Sequence, residues 1–141
     1  MSEALDFSSL TWVRDEIGKG LDGIRRALEQ GLESGESSFL EQALRELKQI
    51  QGTLEMVGIQ GATLLARELE ALLQEMQGHP EQYGEEAYEV LMEALLVLSG
   101  YLEWSQQHRR DIPVALLPYL NALRQARKAQ PFREQDLFNP G

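Results

Sequence analysis

Lys48, Gly52 and Glu55 stand three or four residues apart, with Gln51 beside Gly52, in the stretch Lys48-Gln49-Ile50-Gln51-Gly52-Thr53-Leu54-Glu55-Met56-Val57-Gly58. On a helix this spacing gathers an ammonium, an amide, a bare stretch of backbone and a carboxylate on one face. Glu41 and Arg45 extend the stripe toward the N-terminus, opposite the apolar positions Leu44, Leu47, Leu54 and Val57. Such a face can pair ions and donate hydrogen bonds. It offers no ready nucleophile, because an alkylammonium carries no lone pair at neutral pH. Gly52 is the unusual member: a glycine inside a helix costs up to about 1 kcal/mol against alanine and usually has a packing or contact reason. Two readings follow, a solvated face whose ion pairs contribute little and a contact surface built around the missing side chain.

Other chemistry finds less footing. His79 precedes Pro80 in a breaker, and His108 closes a helical stretch beside Arg109, where it can cap terminal carbonyls. Neither is preceded by glutamate at the Glu-x-x-His spacing of di-iron sites. The acidic group Glu85, Glu86, Glu89 and Glu93 suits a helix start and makes at best a weak metal site. Phosphate-cradling glycine loops and nucleophile elbows are absent, and with no cysteine there are no thiolate ligands or disulfides. No catalytic residue, metal or cofactor is therefore assigned.

Apolar residues recur at helical spacing almost throughout, which predicts an all-α bundle. A first helix is expected from about Ser9 to Glu33, burying Leu10, Val13, Ile17, Leu21, Ile24 and Leu28, with Gly18, Gly20 and Gly23 placed for close packing. Ser38 and Glu41 read as a capping box opening the second helix, which Gly58 should end in a left-handed conformation. A third helix spans roughly Gln60 to Gln77. A fourth, about Gly84 to Gln107, is expected at the centre of the bundle. A fifth covers about Val114 to Lys128, where Pro118 forces a distortion unless a separate turn precedes it. Trp12, Tyr83, Tyr88, Tyr101, Trp104 and Tyr119 read as core or boundary residues. Residues 1–129 thus form one domain, and residues 130–141 an extended tail or the start of a linker, whose Phe132, Leu137 and Phe138 are apolar enough to dock.

A chain of 141 residues is long enough to bury its own core. Its charge is uneven: residues 1–105 carry 7 basic and 20 acidic side chains, and residues 106–141 carry 6 and 3. The acidic body disfavours nucleic acid and anionic membrane surfaces. The basic group Arg124, Arg127 and Lys128 is attributed to a helix C-terminus rather than an anion site. The acidic N-terminus lacks the pattern of a signal peptide. The apolar run Ala94 to Leu102 is about half the ~20 residues that cross a bilayer, so it reads as a core helix. A cytoplasmic location is expected.

The segment from Leu44 to Leu69, with Gly52, Thr53 and Gly58 in place and Leu64-Leu65-Ala66-Arg67-Glu68-Leu69-Glu70 following, resembles the active helix and its backing helix in histidine phosphotransfer (Hpt) domains. The resemblance implies a four-helix Hpt-like core, an antiparallel up-down bundle with an additional helix. Lys48 stands where the family carries its phosphorylated histidine, and Gln51 where it carries a supporting lysine. More narrowly, Leu10 to Ile17, Gln49 to Val57, and Arg109 to Pro113 with Leu116 to Pro118 resemble the N-terminal segment of chemotaxis-like hybrid sensor kinases of the ChpA/PilL type, which govern type IV pili. The freestanding FimL scaffolds have a similar segment. The resemblance implies a pseudo-Hpt regulatory or docking module that is not an enzyme. Its docking face would be Glu41, Arg45, Lys48, Gln51, Gly52 and Glu55. Its partner would be a response-regulator receiver domain, a pilus-regulatory scaffold protein or other segments of the same kinase. The alternatives are active phosphotransfer through a nonstandard acceptor, or a structural spacer or dimerisation unit.

Overall fold

The computed structural model describes the backbone of residues 7–138 and the side chains of residues 13–137. The helices are α1 Phe7–Ser34, α2 Ser38–Val57, α3 Gln60–Gly78, α4 Glu85–His108, α5 Leu117–Ala126 and α6 Glu134–Phe138, with single 3-10 turns at Pro80–Gln82 and Pro113–Leu116. No strand occurs among the described residues. The expected all-α bundle is what the chain forms.

Short connections make sequence neighbours run antiparallel, and the side-chain pairing shows it. Along α1, Gly20 meets Ile50, Gly23 meets Glu46 and Gly31 meets Phe39, so positions on α2 fall as those on α1 rise. Arg14 bonds Gln106 while Gly31 lies against Tyr88, which sets α1 antiparallel to α4. The four long helices close a ring, α1 on α2, α2 on α3, α3 on α4 and α4 on α1, and α5 packs across α3 and α4.

The apolar stripes meet inside this ring. Val13, Ile17, Leu21, Ile24 and Leu28 of α1 face Leu40, Leu44, Leu47, Ile50 and Leu54 of α2, and all are buried. Each large aliphatic side chain taken fully out of water contributes about 1.5–3 kcal/mol. The side chains of Leu10 and Trp12 lie outside the described residues. Of the α1 glycines, Gly20 has the close-packing role expected of it: a Cβ there would stand 2.8 Å from Ile50 Cδ1, whereas one at Gly18 would meet nothing within 4 Å.

Several local expectations change. The capping box does not form: Ser37 occupies the N-cap, Ser38 is already helical, and no side chain caps the end. Gly58 does end α2 left-handed, at φ 86°, with its N–H on the Leu54 carbonyl. The centre of the bundle is α3 rather than α4. Ten of the 19 residues of α3 are buried, because it is enclosed by α2, α4 and α5, while α4 keeps an outward face. Pro118 causes no kink, since the Pro113–Leu116 turn precedes it and the proline falls in the first turn of α5, where an N–H is not needed.

The segment after α5 folds back. The Asn121 side chain holds the Phe132 backbone from both sides, donating to its carbonyl at 3.1 Å and accepting its N–H at 2.7 Å. Arg124 lies 3.7 Å over the Phe132 ring and donates to the Gln130 carbonyl. Phe132 and Leu137 pack against the core. Phe138's side chain and residues 139–141 lie outside the described residues.

Candidate functional site

The outward face of α2 follows from its helical phase. With Leu47, Ile50, Leu54 and Val57 buried, Lys48, Gly52, Glu55 and Met56 must point out, and all four are exposed. Glu41 and Arg45 are exposed further toward the N-terminus of the helix, and Gln51 is half-buried at the edge facing α3.

Two side chains of α3 meet this face. Lys48 Nζ stands 3.7 Å from Glu70 Oε2, with side-chain exposures of 62% and 19%. Gln51 donates from Nε2 to the other Glu70 oxygen, and Gln74 Nε2 donates to Oε2 at 3.1 Å. One turn further along α2, Glu55 pairs with Arg67 at 3.6 Å. Glu70 thus gathers Lys48 and Gln51 together. Glu41 and Arg45 are not part of that cluster. A Cβ on Gly52 would meet nothing within 4 Å, so packing within this chain does not explain the glycine. Beside it, four residues on, Met56 is 87% exposed.

Sequence reading missed both Glu70 and Met56. Glu70 is one of three acids between 68 and 75 and had no distinguishing mark. Met56 had one, its spacing of four from Gly52, which places it on the outward stripe rather than with Leu54 and Val57.

This arrangement can do little covalent chemistry. The exposed ammonium faces a carboxylate, and the amide beside it supplies no charge. A phosphoryl group brought to Lys48 would meet the Glu70 carboxylate, which repels developing negative charge where catalysis needs the reverse. The face can pair ions, donate hydrogen bonds and accept an apolar contact at Met56.

The histidines are placed elsewhere. His108 Nδ1 lies 3.0 Å from the Trp104 carbonyl, and its ring stacks on Trp104 at 4.8 Å. His79 is exposed at the end of α3. No group of three or more His, Cys, Asp or Glu is arranged for a metal ion among the described residues. No helix there is long and apolar enough to cross a membrane.

Two polar clusters outside this face are built for cohesion. Asp111, after α4, reaches the start of α3, accepting the Gln60 N–H and, at 3.0 Å, the Gly61 N–H. The Tyr101 hydroxyl donates to the same carboxylate and accepts the Ile112 N–H at 2.6 Å. Burial, and then the hydrogen bond to Asp111, push the Tyr101 phenol well above its ordinary value. Gly61 makes this approach possible, since a Cβ there would fall 2.7 Å from the Tyr101 oxygen. In the second cluster Glu68, whose side chain is only 7% exposed, takes Arg124 at 3.1 Å and Arg127 at 3.3 Å. These two arginines therefore answer a buried carboxylate as well as a helix terminus.

Fold and face together define an all-α bundle domain with a polar, non-nucleophilic helix surface. The chain belongs to the FimL C-terminal domain family, which it matches over residues 8–118. It is 35% identical over 132 residues to the scaffold protein FimL of Pseudomonas aeruginosa strain PAO1, an alignment covering 93% of this chain and 23% of that protein. The chain thus spans less than a quarter of the length of the curated relative it matches. No solved structure matches it.

Proposed function

We propose that this domain is a non-catalytic, Hpt-like docking module that serves chemotaxis-like two-component control of type IV pili from the cytoplasm. The carrying observation is the Lys48–Gln51–Glu70 cluster, an ammonium tied to a carboxylate beside an open Gly52 and an exposed Met56; by the resemblance to Hpt domains, Lys48 corresponds to their phosphorylated histidine. Kinship with a protein named as a scaffold supports recognition over catalysis. The partner is a response-regulator receiver domain, whose surface can approach α2 closely where Gly52 has no side chain and can cover Met56. A pilus-regulatory scaffold, or another segment of a kinase carrying this domain, are the competing partners.

Isolated receiver domains, free and charged by acetyl phosphate, test this by calorimetric titration and by phosphate analysis of the recovered domain. Binding without phosphate transfer is expected. Gly52→Gln should weaken that binding about tenfold with helicity retained, because the added side chain blocks the approach. Acid-labile phosphate on His79 or His108 overturns the non-catalytic reading. Binding that is indifferent to Gly52→Gln moves the docking face elsewhere.

A further inference from the structure

Helix α4 contains the run Ala94-Leu95-Leu96-Val97-Leu98, five consecutive apolar residues. At about 3.6 residues per turn, five consecutive positions point all the way around a helix. The bundle encloses α4 only partly, so one of them has to face out. That residue is Leu96, 70% exposed, while Ala94, Leu95 and Leu98 are buried. Exposed leucines are common singly and carry no message alone. A groove of about 470 Å³ between α1 and α4 is lined in part by Ile17, Gly18, Leu21, Ser99 and Leu102, and helical spacing sets Leu96 on the α4 surface next to it. Ser99 lies three residues from Leu96, on the side of α4 facing this groove. Small side chains at Gly18 and Ser99 keep the groove open, and a Cβ at Gly18 would meet nothing within 4 Å. Gly100, next to Leu96 on the outward face, is equally open.

The charges around this ridge select an occupant. Glu89, Glu93 and Glu103 flank Leu96 along the exposed side of α4, and no lysine or arginine occurs anywhere from 68 to 108. From α1 the groove receives Asp15 and Asp22 as well as Arg14 and Lys19. Arg14 is already engaged by Gln106, and Asp22 pairs with Arg25. A symmetric pair of copies would bring this acidic ridge of α4 toward the same ridge of the other copy, because a two-fold interface joins the same patch from both sides. Such like-charge contact is unfavourable.

We infer that the α1–α4 groove with Leu96 is a docking surface for a basic amphipathic helix of a partner protein, which inserts an apolar side chain at Gly18 and Ser99 and sets lysines or arginines against Glu89, Glu93 and Glu103. This surface is carried on α1 and α4, across the bundle from the outward face of α2, and does not depend on what binds there. Apolar anchors in a helix-in-groove contact provide affinity, and flanking charges provide orientation and salt sensitivity.

The test uses a synthetic leucine–lysine amphipathic helix of about 18 residues and a scrambled peptide of the same composition. Binding is followed by amide chemical shifts of the labelled domain and by peptide anisotropy. Shifts centred on Gly18, Leu96, Ser99 and Gly100 are expected, with a preference for the amphipathic over the scrambled peptide. Leu96→Gln, at an exposed helical position that leaves the fold intact, should weaken binding about tenfold. Met56→Gln, on α2, should leave binding unchanged. Equal binding of the scrambled peptide, indifference to Leu96→Gln, shifts mapping to α2, or no binding at all each overturn the proposal. Self-association lost in Leu96→Gln would overturn the choice of occupant in favour of a second copy.

Discussion

Replacing Asp111 with alanine removes three hydrogen bonds at once, from the Gln60 and Gly61 N–H groups and the Tyr101 hydroxyl. Helix α3 begins at Gln60, and its N-cap residue Ile59 makes no side-chain cap, so Asp111 supplies that cap from 50 residues away in sequence. Losing an N-cap carboxylate costs about 0.5–2 kcal/mol. The buried Tyr101 hydroxyl, left without an acceptor, adds about 1 kcal/mol, the low end of the range because water can enter where the half-buried Asp111 side chain stood. The expected loss is therefore roughly 1.5–3 kcal/mol, or a fall in melting temperature of about 5–10 °C for a domain of this size. Urea unfolding followed by far-ultraviolet circular dichroism should show a lower midpoint with an unchanged slope, since the surface exposed on unfolding stays the same. Asp111→Asn keeps one acceptor oxygen and should lose about half as much. A loss under about 0.5 kcal/mol for Asp111→Ala, the size of an ordinary surface substitution, would refute the tertiary cap.

Further outcomes follow from the same contacts. The Tyr101 phenol is held above its ordinary value of 10.0 in the folded chain, so the folded state keeps this proton longer than the unfolded state. Its contribution is complete below pH 10 and lost as pH rises beyond it, at up to about 1.4 kcal/mol per pH unit. Urea midpoints between pH 9 and 11 should fall less steeply in Tyr101→Phe than in the parent. Glu68→Gln leaves two guanidinium groups facing a neutral amide. Because each arginine side chain is 23% exposed, the loss should be about 2–3 kcal/mol, short of the ~3–5 of a fully buried pair, and thermal denaturation reads it. Asn121→Ala releases the Phe132 backbone, and trypsin should then cut faster at Lys128 and Arg133 with little change in global stability.

How much could be read from the residues alone depended on the range of the contacts concerned. Helix existence came from period 3.6, and boundaries such as Gly58 came from backbone conformations few residues adopt. The capping box failed because Ser37 and Ser38 are equivalent as letters, and only the path of the chain decides which one takes the N-cap position, where the Ser37 hydroxyl makes no cap. The α2 face was legible as a phase, yet its chemistry turns on Glu70 from the next helix, a pairing that no spacing along the chain reveals. The return of residues 130–137 was legible only as one of two options, because Phe132 and Leu137 are apolar enough to dock but the segment is held by side-chain contacts to backbone groups, Asn121 on Phe132 and Arg124 on Gln130, which leave no periodic trace. Enclosure explains the misplaced centre, since α4 is the more apolar helix but α3 has more neighbours.

The buried Glu68 has a bearing on where this unit can be cut. The match to the FimL C-terminal domain family ends at residue 118, within the first turn of α5. The cations that answer Glu68 lie beyond that point, at Arg124 and Arg127. The segment matched to the family is thus shorter than the segment that neutralises its own interior, which the 132-residue alignment with FimL spans. A fragment trimmed to the matched residues would retain a buried anion and lose both counter-charges, while one carried through Phe132 would keep the set together. A protein that shares Glu68 but ends at the family boundary would have to hold this carboxylate protonated or meet it with a cation from a neighbouring module, and in the second case that module becomes part of the folded unit.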